Sequence, residues 1–295
     1  MTKKRTVRII GLPMDLGQSQ RGVDMGPSAV RYAGLSNRLR ELGYLINDAG
    51  NVEIRVRDSL QKSQYVSEIK KACEKLYDLG REAIKKNEIP LFLGGDHSIA
   101  IGSIGGITHD RPAGVIWIDA HGDYNTPEIS PSGNIHGMAL SVLLGNGDPE
   151  LVNLGRPGPK LRPDDVVLIG IRSLDPQEKK RLSQSGITIY TMRDIDELGV
   201  SHVANDAVMR LSHLSHIHVS LDLDGLDPME APGVGTPVPG GLSFREAHLI
   251  MEIIADSKRM GSLDLVEINP ILDTYNKTGQ IAVDLAVSLF GKRIL

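Results

Sequence analysis

Three short stretches of this chain end in residues that hold cations or move protons. Pro90–Ser98 reads PLFLGGDHS and delivers Asp96 and His97. Ile116–Asp123 reads IWIDAHGD and delivers Asp119, His121 and Asp123, and His218–Asp227 reads HVSLDLDGLD and delivers Asp222, Asp224 and Asp227. Each begins as an apolar run and breaks into acids, two of them with an imidazole. One such cluster alone is ordinary turn chemistry, since Asp and Gly are common turn residues. Three together point to a shared metal site where strands end.

In an extended strand, residues i, i+2 and i+4 face one side. Asp119, His121 and Asp123 are therefore expected to point together, as are Asp222 and Asp224. Neighbours on that face lie roughly 6.6 Å apart, too wide for all to hold one ion. The spacing suits two ions about 3.5–4 Å apart, bridged by carboxylates. Crowded aspartates without cations would be forced to take up protons. Mixed oxygen and imidazole ligation suits Mn²⁺, with Zn²⁺, Fe²⁺ or Co²⁺ as alternatives. The absence of thiolate ligands argues against a structural zinc site. His109, His202, His213 and His216 have no such company and receive no role. His218 and His248 are expected to face a sheet or helix partner.

The elements that position these residues follow from apolar periodicity. Strands are predicted at Val7–Leu12, Leu91–Leu93, Val115–Ile118, Val166–Gly170, Ile187–Tyr190, Ile217–Leu223 and Leu263–Ile268. Helices are predicted at Ser28–Leu42, Tyr65–Lys86, Phe244–Ser257 and about Thr278–Phe290. Gln18–Pro27 and Tyr124–Gly137 read as polar loops, and 51–62 as an exposed connection. Cys73 lies in the apolar stripe of the second helix (Val66, Ile69, Leu76, Leu79, Ala83), which makes it a packed core thiol. Continuous apolar strands alternating with helices imply a parallel sheet covered on both faces. Ligands in such sheets bind beyond the carboxyl ends of the strands, where every cluster above falls. No linker or repeat divides the chain, so residues 1–295 are read as one domain.

Composition narrows the class. The 295 residues are 40% hydrophobic and 24% charged, ordinary for a globular protein. A net charge of −4 gives no basic surface for nucleic acid. A single cysteine excludes an internal disulfide and suits a reducing compartment. Arg8 and Asp15 interrupt what would otherwise pass, from Met1–Arg5 onward, for a signal peptide, and no apolar window is long enough to span a membrane. The expected location is cytoplasmic. No P-loop motif is present, and Gly102–Gly106 is too loose for a dinucleotide site.

Taken together, GGDHS, DAHGD with a downstream SGNIHG, SLDLDGLDP and VEINP resemble the arginases of the ureohydrolase superfamily, from the early RGVDMGP loop to the C-terminal helix. The resemblance implies an α/β fold: a three-layer αβα sandwich with a central, mostly parallel sheet of about eight strands. It also implies two Mn²⁺ ions, a bridging hydroxide, and hydrolysis of L-arginine to L-ornithine and urea, in a homo-oligomer (trimer or hexamer). Carried over by position, the metal ligands are His97, Asp119, His121, Asp123, Asp222 and Asp224, with Asp96 supporting them. His136 matches the proton-shuttling histidine and Glu267 the carboxylate that grips the guanidinium. Asn125, Ser132 and Asn134 match readers of the α-carboxylate, and Asp175 matches the reader of the α-amine. Glu178 matches a partner acting through water, and Thr236 a residue lining the guanidinium end. Ser173 departs from the pattern, standing where some relatives carry aspartate, so α-amine recognition leans on Asp175.

The implied chemistry is coherent. A divalent pair lowers the pKa of a shared water, Glu267 holds the guanidinium by charge-assisted bonds, Asp123 accepts a hydrogen bond from the nucleophile, and His136 titrates in the range needed to pass a proton. The nearest rival is agmatinase, with the same metals and hydrolysis. Its substrate lacks the α-carboxylate that the loop Ser132–Asn134 would read, and VEINPILD is the arginase-like version of that motif. A metal-stabilised scaffold without catalysis would not need His136 and Glu267.

Overall fold

The structure, a computed structural model, describes residues 4–293. The first three residues of the Met1–Arg5 stretch and the last two of the expected domain lie outside the described residues. Among the described residues eight strands are formed: β1 (Thr6–Leu12), β2 (Leu45–Asn51), β3 (Ile89–Gly94), β4 (Gly114–Ile118), β5 (Val166–Ile171), β6 (Thr188–Thr191), β7 (Ile217–Asp222) and β8 (Met260–Val266). They make one sheet in the order β2-β1-β3-β8-β7-β4-β5-β6, and every pair of neighbours is parallel. The helices are α1 (Gly26–Tyr32), α2 (Leu35–Glu41), α3 (Tyr65–Lys85), α4 (Ala100–Ile107), α5 (Ala139–Leu143), α6 (Pro149–Val152), α7 (Pro176–Leu182), α8 (Met192–Leu198), α9 (Val200–Arg210), α10 (Phe244–Asp256) and α11 (Lys277–Leu289).

Alternation along the strands builds the two cores. Val7, Ile9, Leu91, Leu93, Val219 and Leu221 face one way and pack on Leu35, Leu39, Ile250 and Val283 of α2, α10 and α11. Ile10, Leu12, Phe92, Val115 and Trp117 face the other way, onto Ile69, Leu76, Ile104 and Leu140 of α3, α4 and α5. The result is the three-layer αβα arrangement, with the inner strands buried on both sides. Helix α4 lies close on α3 because it presents glycine there. A Cβ at Gly106 would stand 2.3 Å from the Tyr77 carbonyl oxygen, and one at Gly102 would stand 2.6 Å from that of Cys73. Cys73 is fully buried, and burial pushes its thiol pKa far up, in keeping with a core residue.

Several local expectations give way. The helix expected over Ser28–Leu42 is two helices, because Gly34 adopts a left-handed φ of 87° and restarts the chain as α2. Strand β2 is not signalled by its sequence, LINDAGN, which is polar and largely exposed at the sheet edge. Helices α8 and α9 cover a stretch for which no element was expected; α8 is opened by a capping box of Thr191 and Asp194. Strand β4 stops at Ile118, so Asp119, His121 and Asp123 do not lie on one extended strand.

Candidate metal centre and substrate cavity

The four strands β3, β8, β7 and β4 are consecutive in the sheet, and their carboxyl ends supply His97, Glu267, Asp222 and Asp119. That juxtaposition is what brings residues from distant parts of the chain together. Past β4 the backbone turns, and Asp123 has a left-handed φ of 47°. Glu267, immediately after β8, has φ 64°. A non-glycine residue in this region is strained and is held there by its surroundings. Asp224 sits in the short turn Leu223–Gly225, with its amide donating to Asp222 Oδ1 at 2.8 Å. Turns rather than strand pleat thus aim the ligands, and the expected convergence is reached by a different route.

All six expected metal ligands meet. His97 Nδ1 lies 3.2 Å from Asp119 Oδ2, 3.1 Å from Asp123 Oδ2 and 3.1 Å from Asp222 Oδ2. His121 Nδ1 lies 3.1 Å from Asp224 Oδ2 and 3.4 Å from Asp119 Oδ1. The donor atoms fall into two groups, His97–Asp119–Asp222 and Asp119–His121–Asp224, and each group lies within 4.8 Å. Asp119 belongs to both, as expected of a carboxylate between two cations. His97 Nδ1 and Asp123 Oδ2 are buried, yet neither makes a hydrogen bond of proper geometry with any described residue. Buried atoms of this kind are normally satisfied, so this donor set fits divalent cations.

The electrostatics agree. Burial works against charge on His97, but the carboxylates of Asp119, Asp123 and Asp222 overcome it and hold the imidazole well above its ordinary pKa. Burial likewise opposes charge on His121, which Asp224 and Asp119 push up to about 12. Asp123 is pushed up to about 6 by burial and by Asp119. Burial and mutual repulsion also raise Asp222 and Asp224. Asp119 is held low despite burial, because both imidazoles face it. Such a cluster of buried acids is compensated either by protons or by cations.

Supporting residues fix the candidate ligands. His97 Nε2 meets Ser220 Oγ at 2.8 Å, and its ring stacks on Trp117 with centroids 4.1 Å apart. Trp117 Nε1 donates to Asp119 Oδ2 at 2.9 Å. Groups behind the ligands set their orientation. Asp96 Oδ2 accepts from the Gly17 amide at 2.7 Å and anchors the loop after β1. Gly95 lets that loop cross, since a Cβ there would stand 1.8 Å from the Met14 carbonyl oxygen. Sequence reasoning missed Ser220, Trp117 and Gln18. Ser220 and Trp117 lie two residues before a ligand, Asp222 and Asp119 respectively, and that spacing was the available signal. Gln18 sits in a loop with no pattern.

A cavity of about 290 Å³ opens over the cluster. His121, Asp123, Asp222 and Asp224 line it, as do His136 and all six expected substrate contacts: Asn125, Ser132, Asn134, Asp175, Glu178 and Thr236. Ser173 is in its wall as well. Asn125 Nδ2 donates to Asp175 Oδ2 at 3.0 Å, and Thr236 Oγ1 donates to Asp224 Oδ2 at 2.9 Å. Glu178 has a structural task. It accepts the Tyr124 and Asp175 amides at 2.9 and 3.2 Å and forms a capping box with Asp175 at the start of α7. Burial pushes its carboxyl up to about 7.

Glu267 is 1% exposed and adjoins the cavity through His136. Its Oε1 accepts from the His97 amide at 2.8 Å and pairs with His136 Nδ1 at 2.9 Å, and its Oε2 accepts from Gln18 Nε2 at 2.6 Å. Burial opposes charge on both partners of the His136–Glu267 pair, yet Glu267 is held below its usual range and His136 is pushed up to about 9, above the range expected of it from sequence, because the carboxylate beside it favours the charged ring. His218, expected to face a sheet partner, is fully buried and meets Ser262 Oγ at 2.8 Å on the neighbouring strand.

Residues 5–291 match the model of the arginase family. The chain is 51% identical to an arginase of Bacillus subtilis (strain 168), covering 99% of both chains. It is 50% identical to an arginase of Bacillus caldovelox, covering 99% of this chain and all of that one. The crystal structure of an arginase from Bacillus subtilis superimposes with a TM-score of 0.94 at 51% identity, covering 99% of this chain and all of that one.

Proposed function

The chain belongs to the arginase family, and from that premise we propose that it hydrolyses L-arginine to L-ornithine and urea over two Mn²⁺ ions. His97, Asp119, His121, Asp123, Asp222 and Asp224 would hold the ions, with Asp119 common to both. When bound, the ions would neutralise the clustered carboxylates and supply an acidified water as nucleophile.

The remaining chemistry belongs to side chains. Glu267 is ionised and fixed, so it can orient the guanidinium by charge-assisted hydrogen bonds and hold its carbon toward the metal cluster. Asp123 can accept a hydrogen bond from the attacking water. His136 has Nδ1 committed to Glu267, which leaves Nε2 to pass a proton to the departing amine. At the far end, Ser132, Asn134 and Asn125 offer donors to the α-carboxylate, and Asp175 offers an acceptor to the α-amine. Glu178 supports Asp175 through the capping box rather than acting alone. We propose further that the enzyme works in the cytoplasm as a homo-oligomer, a trimer or hexamer, with no nucleic-acid or membrane partner. No described helix is long and apolar enough to cross a membrane.

The observation that carries this reading is the two donor groups sharing Asp119, which lie beneath a cavity lined by Asn125, Ser132, Asn134 and Asp175. The test is urea release from arginine and from agmatine after manganese loading. Release from arginine alone supports the reading. Preferential release from agmatine would replace it with the rival reading.

A further inference from the structure

Gln18 is 2% exposed and faces the carboxylate assigned to the substrate's guanidinium. Its two amide atoms can be told apart by chemistry. An ionised carboxylate only accepts hydrogen bonds, so the atom 2.6 Å from Glu267 Oε2 is the NH₂ group. The other branch is the carbonyl oxygen. It is buried and has no partner among the described residues, and it lies against Gly235, where a Cβ would stand 2.7 Å away. The next residue, Thr236, lines the substrate cavity and spends its hydroxyl hydrogen on Asp224.

Apart from the second N–H of the Gln18 amide, the free hydrogen-bonding groups of this corner are therefore acceptors. Gln18 Oε1 is unpaired, Thr236 Oγ1 has lone pairs but no free hydrogen, and Glu267 Oε2 has taken one donor only. A guanidinium is the complementary group, carrying several N–H donors and no acceptor. A buried amide oxygen without a partner is rare, and a site that keeps one is matched to a ligand that supplies the hydrogen.

We propose that Gln18 both positions Glu267 and contributes, through Oε1, a neutral acceptor for a guanidinium N–H beside Thr236. The proposal rests on the reading of Glu267 as the guanidinium's carboxylate. Gln18 is thus a specificity determinant contributed by the loop after β1, which Asp96 ties down through the Gly17 amide.

The test is Gln18→Met in the manganese-loaded enzyme, which keeps the length and removes both hydrogen-bonding atoms. kcat/KM for arginine is expected to fall about 10- to 100-fold, the range for losing hydrogen bonds to a charged group. Ornithine carries no guanidinium, so its inhibition constant is expected to stay within about twofold and serves as the check on fold and cation content. If the methionine variant does not fold, Gln18→Ala is read by the same split. Activity on arginine within about threefold of wild type, or a parallel loss of ornithine binding, would overturn the proposal. Glu267→Gln separates the two ideas: a crippled Glu267→Gln beside an active Gln18→Met removes the role of Gln18 only, whereas an active Glu267→Gln removes the reading beneath it.

Discussion

His136 and Glu267, 131 positions apart in the chain, meet through Nδ1 and Oε1 at 2.9 Å. Each explains the state of the other. The carboxylate holds the imidazole above its ordinary pKa, and the imidazole helps to keep a fully buried carboxylate ionised. The grip on a cationic substrate proposed for Glu267 requires a charged carboxylate, and the proton transfer proposed for His136 requires a free ring nitrogen.

Replacing Glu267 by Gln removes the charge and retains the shape. kcat/KM for arginine is expected to drop at least about 100-fold, since a charge-assisted interaction formed with the reacting group is lost. Cation content should be unchanged because Glu267 is not among the proposed ligands. Steady-state kinetics beside elemental analysis checks both halves.

His136→Ala is expected to lose about 10²–10⁴-fold in rate, the usual size of a general acid–base contribution. Added imidazole should restore part of the loss. A loss that imidazole does not relieve at any concentration would assign His136 to holding Glu267 rather than to proton transfer.

Away from the centre, Asp227 ties the loop after β7. Its carboxylate accepts amides of Met229 at 2.9 Å, Gly240 at 2.8 Å and Gly241 at 3.2 Å, and these bonds hold its pKa below the ordinary value. A carboxyl with a lower pKa folded than unfolded adds stability above about pH 3.9 and loses it as the pH falls through the folded value. Asp227→Ala should therefore melt about 2–4 °C lower at pH 7, and the gap from wild type should close as the pH falls below about 4. Paired melting curves across that range decide it.

Gly106→Ala tests the close packing of α4 on α3. The added Cβ would meet the Tyr77 carbonyl oxygen at 2.3 Å, and backbone cannot yield as a side-chain tip can. A destabilisation of about 1–3 kcal/mol is expected, measured by denaturant unfolding, with the metal ligands untouched.

Much of this arrangement is legible in the residues, and the exceptions have physical causes. Helix α3 is visible because its apolar stripe repeats through Ile69, Cys73 and Leu76. The inner strands are visible because burial on both faces makes them continuous apolar runs. Edge strand β2 is hidden because LINDAGN is polar and exposed, and only its pairing with β1 makes it a strand. The candidate ligands are identifiable by type, but their spacing suggests a pleat, whereas the left-handed Asp123 and the turn at Asp224 do the aiming. Gln18 was invisible because a glutamine in a polar loop is ordinary until Glu267, 249 positions away, is placed beside it.

The sharing of Asp119 between two donor groups is the feature on which the metal chemistry stands. Elemental analysis of manganese-loaded, dialysed protein tests it most directly, comparing wild type with Asp119→Ala and Asp224→Ala. The expected contents are about two ions per chain for wild type, about one for Asp224→Ala and well below one for Asp119→Ala, because only the last disturbs both groups. Two ions retained by Asp119→Ala, or none held by the wild-type protein, would contradict the account.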